Sequence, residues 1–230
     1  MTDVVGGVSN VANVRAGGIV LAGGHSRRMG LAKASLPLGD ETMLQRIVRL
    51  LGTVVDPIVV VTAAEREFAL PQGVRHAIDA RPDRGPLEGI AAGLRALGDD
   101  ADAAYVTSCD VPGFVPAVVP WLVQHLGQHD AVVPRIDGRY EPLAAVYRVG
   151  VLTTIEQLLA ADQLRPVFVF DRVATKTITA DELAEVDPEL SSLDNINRPE
   201  DYVRAAERLG FSVPDEVRRV LLRNTDTRSA

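Results

Sequence analysis

An open α/β/α sandwich with a mostly parallel sheet and an antiparallel addition follows from three observations on the 230-residue sequence. Short runs of β-branched residues alternate with segments of helical period along most of the chain. The runs stop at glycine, aspartate or proline, at the strand ends where open sheets bind ligands. One Asp-Gly turn separates two strand-like pieces with no helix between them, which adds antiparallel pairing.

Residues 1–16 are small, polar and punctuated by glycine, and read as a flexible extension. The first strand is Ile19 to Leu21. After a glycine-rich loop, Ser35 to Leu38 leads into a Gly39-Asp-Glu turn. From Thr42, a plausible cap, Met43, Leu44, Ile47, Val48, Leu50 and Leu51 recur at helical spacing up to Gly52. Pro57 to Thr62 is a strand covered on both faces. Glu65 to Leu70 reads as a short helix, and Val74 to Ile78 as a strand ending at Asp79.

Arg84 to Leu97 opens on a Gly-Pro turn and becomes a helix of small residues, with Gly85, Gly89 and Gly93 repeating along one face. Such a face allows close approach to a neighbouring backbone or a ligand. Ala103 to Ser108 is a buried strand that ends in Cys109-Asp110-Val111-Pro112. A helix over Pro116 to Leu126 and a strand over Ala131 to Pro134 follow. The Asp137-Gly138 turn separates that strand from a second piece reaching Tyr147. Val151 to Ala160 is helical, Val167 to Phe170 is a strand or a helical turn, and Lys176 to Ile178 is a strand. Asp194 to Tyr202 leads into an amphipathic helix ending near Leu209. Pro214 to Leu222 is again helical, and residues 223–230 should fray. One domain, residues 17–222, accounts for the periodic part.

A mean hydropathy of +0.09 is enough for one large core. The net charge of −7 and pI near 5.1 argue against a duplex or RNA surface as the main partner. No stretch has the apolar length of a membrane span, and no basic, apolar leader opens the chain, so a cytoplasmic protein is expected. Cys109 is the single cysteine, which rules out an intramolecular disulfide. His125 and His129 have ligand spacing but read as a polar helix end.

The stretch Ile19 to Lys33 carries the chemistry. Two glycines follow the strand, and Ser26, Arg27, Arg28 and Lys33 crowd behind them in an otherwise acidic chain. Peptide N–H groups exposed at glycine, together with cations, suit a polyphosphate. A Walker loop from Gly24 would need glycine where Met29 stands, and a dinucleotide fingerprint from Gly23 would need it at His25. What remains, L-A-G-G-x-S-x-R-M-G-x-x-K, resembles the opening signature of the molybdenum cofactor guanylyltransferase family. The resemblance continues through Leu36-Pro-Leu38, Asp79 with the following GPLEGIAAGL, the CDVP segment, DGR with PLAAVY, and DNINRPEDY.

That resemblance implies a Rossmann-like sheet of the nucleotide-diphospho-sugar transferase type. It implies a magnesium-dependent, direct in-line transfer of GMP from GTP to the phosphate of molybdopterin, with release of pyrophosphate. Leu21, Ala22, Gly23 and Gly24 would hold the nucleotide, with Lys33 and Arg28 at its phosphates. Thr62 and Asp79 would lie near base and ribose, and Asp110 would hold Mg2+. Guanine selectivity is expected from Gly23, where cytidylyl and sugar-nucleotide relatives carry alanine, because the missing Cβ leaves room for a purine. Arg139, with Arg165, would meet the acceptor's phosphate, and Asn195 and Asn197 its pterin edge. Molybdenum-insertion proteins or apo-molybdoenzymes are the protein partners implied, with no nucleic acid and no membrane. Ala32 and Thr62 depart from the family's aspartate and asparagine. A cytidylyl- or sugar-nucleotide-forming sibling, and a non-catalytic nucleotide- or partner-binding module, are the competing readings.

Overall fold

The computed structural model describes residues 14–23, 32–63, 70–79, 81 and 84–226, with side chains up to Leu221 in the last helix. Gly24, Arg28 and most of the helix expected at Glu65 to Leu70 lie outside the described residues.

Strand β1 (Ala16–Leu21) is buried from Gly17 onward. Leu38 and Glu41 close a small hairpin of β2 (Pro37–Leu38) and β3 (Glu41–Thr42), with Gly39 at φ +65° in the turn. Helix α1 (Met43–Leu51) starts where the sequence indicated. The Thr42 hydroxyl accepts from Gln45 N at 3.2 Å, and Gln45 Oε1 accepts from Thr42 N at 2.9 Å, a reciprocal cap that satisfies two backbone donors. Strands β4 (Ile58–Thr62) and β5 (Arg75–Ile78) follow, then helix α2 (Pro86–Leu97), β6 (Ala103–Ser108) and α3 (Val118–Gln124). Helix α3 is shorter at both ends than its periodicity suggested.

Next come β7 (Ala131–Ile136), β8 (Arg139–Tyr140), β9 (Ala145–Arg148), α4 (Leu152–Ala160) and α5 (Val167–Phe170). The ambiguous Val167 to Phe170 segment is thus a helical turn. The chain ends with β10 (Thr175–Ile178), α6 (Ala180–Leu183), α7 (Pro199–Arg208) and α8 (Asp215–Asp226). Helix α8 continues past Leu222, where fraying had been expected. Among the described residues, no helix is long and apolar enough to cross a membrane.

The sheet runs β10–β7–β9–β6–β1–β4–β5, with β8 paired to β7. Strands β6, β1, β4 and β5 are mutually parallel, and β10 is parallel to β7. The antiparallel addition lies inside the sheet: β9 runs against both β6 and β7. Its register sets Ala145 opposite Val106, so the residues just before β9 arrive beside the carboxyl end of β6. Helices α2, α4 and α5 pack on one face around Ile19, Val61 and Val106, while α1, α3 and α6 pack on the other around Val20, Val60 and Tyr105. A third apolar cluster of Leu36, Leu38, Met43, Ile196 and Tyr202 fastens the C-terminal helices to the small hairpin. Tyr202 completes it by donating from its hydroxyl to Pro37 O at 2.5 Å.

The chain leaves β1 toward β4 and β5, then crosses back to β6 on β1's other side. A crevice must therefore open at the carboxyl ends of β1 and β6, where the winding reverses.

Candidate active site

Four strand ends, those of β1, β4, β5 and β6, meet at that crevice, and backbone bonds lock them together beyond the ladders. Ala22 N donates to Val61 O at 2.8 Å, Cys109 N to Leu21 O at 3.0 Å, and Asp79 N to Thr62 O at 2.8 Å. A cavity of about 510 Å³ opens there, lined by Leu21, Gly23, Thr62, Asp79, Ser108 and Asp110, with Asn195 and Asn197 on its C-terminal side. Its size suits a small-molecule substrate. The start of α2 forms another wall through Gly85, Pro86 and Gly89. Gly85 has φ +87°, a turn conformation that glycine adopts without strain, and Pro86 takes the first helical position, where no N–H is needed. The positive end of a twelve-residue helix thus faces the cavity, which favours an anion.

One ion pair stands on the cavity's polar side. Lys33 Nζ donates to Asp110 Oδ2 at 2.7 Å and to Asn197 Oδ1 at 3.2 Å. The Ser108 hydroxyl donates to the other carboxylate oxygen of Asp110. Thr62 is almost fully buried, and its Oγ1 lies 2.8 Å from His76 Nε2 on the neighbouring strand. Asp79 turns its Oδ1 toward Arg81 N at 2.9 Å.

Most residues indicated by the sequence thus come together: Leu21, Gly23, Thr62, Asp79, Asp110, Asn195 and Asn197 line one space, Ala22 is tied into its rim, and Lys33 is bonded into its polar side. Arg139 does not join them. It is exposed on β8, opposite Ile136, in the hairpin at the carboxyl end of β7, and is not among the residues that line the cavity. Arg165 does not line it either; its guanidinium stands 5.9 Å from the centre of the Phe168 ring. Asn197 belongs to the polar group around Lys33, and Asn195 lines the same cavity. The steric account of Gly23 also changes. A Cβ there would meet Ala63 N at 3.2 Å and Ala63 Cβ at 3.5 Å, so it would press first on the end of β4.

Two residues emerge that the sequence did not single out. Ser108 orients the Asp110 carboxylate, and Leu143 reaches the cavity from the segment before β9. A Ser two positions before a strand-end Asp carried a usable signal, since alternation puts both side chains on one face. Leu143 carried none, because its position depends on β9 entering between β6 and β7. Cys109 is buried, and burial pushes its thiol up to about 12, so it packs rather than reacts. His125 and His129 each direct Nδ1 to a backbone carbonyl of their own helix end, at 2.8 Å and 3.2 Å.

No group of three or more His, Cys, Asp or Glu side chains is placed to hold a metal ion among the described residues. Asp110 nevertheless offers one carboxylate in a cavity whose other polar side chains include Ser108, Asn195 and Asn197. A hard cation such as magnesium commonly takes one or two carboxylates together with substrate phosphates, and this oxygen-rich set fits it.

The family model of the MobA-like NTP transferase domain matches residues 18–175, from β1 to the start of β10. The molybdenum cofactor guanylyltransferase of Desulfosudis oleivorans is 35% identical over 190 residues, covering 82% of this chain and 93% of that relative. The chain belongs to the molybdenum cofactor guanylyltransferase family. This makes it a nucleotidyltransferase, with the Lys33–Asp110 cavity at the edge where open α/β sheets bind ligands. Molybdopterin-guanine dinucleotide biosynthesis protein A from Archaeoglobus fulgidus superposes with a TM-score of 0.72 at 25% identity, covering 84% of this chain and 98% of that one. The 2-C-methyl-D-erythritol 4-phosphate cytidylyltransferase of Thermus thermophilus shares the fold alone, with a TM-score of 0.62 at 15% identity, covering 83% and 97% of the two chains.

Proposed function

We propose that this protein transfers the GMP part of GTP to the phosphate of molybdopterin and releases pyrophosphate. The observation that carries the reading is the Lys33–Asp110 pair, set in a cavity at the reversal point of a nucleotidyltransferase sheet. Leu21, Ala22 and Gly23 supply the strand-end backbone beside the nucleotide, together with Gly24. Thr62 and Asp79 lie toward base and ribose. Lys33, with Arg28, meets the phosphates, and the start of α2 adds its positive end. Asp110, oriented by Ser108, holds Mg2+. That ion, when bound, offsets charge on the leaving pyrophosphate.

Transfer in one step requires the attacking phosphate oxygen and the leaving oxygen on opposite sides of the α-phosphorus. Asn195 and Asn197 both donate and accept through their amides, which suits a pterin edge. Residues 17–222 are the working domain, in the cytoplasm. Molybdenum-insertion proteins or apo-molybdoenzymes are the partners that would deliver pterin or take up product. The deciding experiment follows pyrophosphate release with molybdopterin and each of the four nucleoside triphosphates in magnesium. GTP should support turnover well above the others. Preference for CTP would instead make this a cytidylyl-transferring sibling, and no turnover with any of them would leave a binding module.

A further inference from the structure

Both oxygens of the Asp110 carboxylate already accept a bond from its own protein. Oδ2 accepts from Lys33 Nζ at 2.7 Å, Oδ1 accepts from the Ser108 hydroxyl, and the backbone carbonyl accepts from Ile196 N at 2.9 Å. The Lys33 and Asp110 side chains keep only 19% and 16% of their exposure, so water screens the pair little. A divalent ion on Oδ2 would sit about 2.1 Å from an oxygen that already carries an ammonium. Two cations cannot share that oxygen at such distances without strong repulsion.

One of the two must yield, and the geometry says which. Asp110 has its carboxylate held by Ser108 and its backbone tied by the bond from Ile196 N. Lys33 sits on a flexible four-carbon stem and can turn to another anion. We infer that Lys33 and the divalent cation compete for Asp110, so that the carboxylate takes up metal only when nucleotide phosphates hold Lys33 elsewhere. The inference rests on the proposed metal assignment to Asp110. It gives Lys33 a second role, as the counter-ion that keeps the carboxylate closed to bare metal. Because the same ammonium donates to Asn197 Oδ1, its departure also ends that bond to the Asn197 amide. Metal and nucleotide then enter as one unit, and the C-terminal side of the cavity responds to that entry.

The test is a titration of Mn2+ read by electron paramagnetic resonance, on the full chain, with and without the α,β-methylene analogue of GTP. Without nucleotide, K33M should bind Mn2+ about tenfold more tightly than wild type, because a neighbouring positive charge has gone. The double variant K33M/D110N should lose that gain. With the analogue, wild type should tighten and the difference between the two should shrink. Equal Mn2+ affinity of K33M and wild type without nucleotide, including no measurable binding in either, overturns the competition if D110N still weakens Mn2+ binding with the analogue. If D110N leaves that binding unchanged, the metal assignment itself fails and the inference falls with it. K33Q, of similar length and still able to hydrogen-bond Asn197, gives the same comparison should K33M fold poorly.

Discussion

At the scale of single residues, the site depends on charge held in place by short local bonds. Asp110 contributes a carboxylate whose direction Ser108 fixes, and little of the apolar core leans on it. Asp110→Asn should therefore keep the fold, judged by an unchanged circular dichroism spectrum, while pyrophosphate release falls by roughly a hundredfold or more, as for loss of one key electrostatic group. Release at the wild-type rate would move the metal elsewhere. Cys109, one residue earlier in the chain, has the opposite character. With its thiol pushed up to about 12, chiefly by burial, it stays protonated and neutral throughout the neutral range. Native protein should resist iodoacetamide near neutral pH while urea-unfolded protein is labelled quickly. Cys109→Ser should turn over substantially, with no nucleotide attached to the enzyme in mass spectra. The sequence distinguished these neighbours because aspartate at a strand end and a lone cysteine without a base nearby have different chemistry on their face.

At the scale of elements, the helix of small residues serves packing and binding at successive turns. Gly93 lies on Ile19 so closely that a Cβ would stand 2.5 Å from Ile19 Cγ2, and one at Gly89 would stand 3.1 Å from Leu21 Cδ2 at the cavity wall. Gly93→Ala should lower stability by about 1–3 kcal/mol in urea unfolding, with GTP affinity unchanged. A shift in affinity without a stability loss would reverse that division of labour. The hairpin before α1 shows a pH-dependent contact. Hydrogen bonds from Arg49, more than those from Arg46, hold the Glu41 carboxyl below its ordinary value. A depressed carboxyl stabilises the fold above its unfolded value of about 4.3 and loses that effect as pH falls through the lowered one. The stability gap between wild type and Glu41→Gln should therefore be open at about pH 7 and should narrow progressively as the pH falls below about 4.3, as read by urea midpoints. The cap of α1 was legible because Thr42 and Gln45 are three residues apart and their bonds need nothing distant. The helical turn at Val167 to Phe170 was not, since four apolar residues carry no period of their own.

Across the whole molecule, contacts distant in sequence complete the site. Lys33 and Asn197 are 164 positions apart yet share a hydrogen bond, and the third apolar cluster that carries the Asn197 loop packs on the hairpin just after Lys33. Asn197→Ala should therefore raise the KM for GTP as well as for the acceptor. An effect confined to the acceptor would separate the two loops again. Sequence order alone placed Lys33 and Asp110 at one sheet edge, because alternating strands and helices imply it. It could not place Arg139, whose position depends on β9 threading between two strands already separated by a helix. That threading separates two kinds of change. The hairpin at Asp137-Gly138 is held by its own pairing with β7, and the Tyr147 hydroxyl donates to Pro142 O at 2.9 Å to fix where the chain re-enters. Residues added at the hairpin tip would extend outward, without altering the register between β1, β4 and β6. Over generations, then, the outer rim beyond Leu143 can lengthen, shorten or change character while the nucleotide half is inherited untouched, so one ancestral donor site could acquire new acceptors by remodelling a single ribbon.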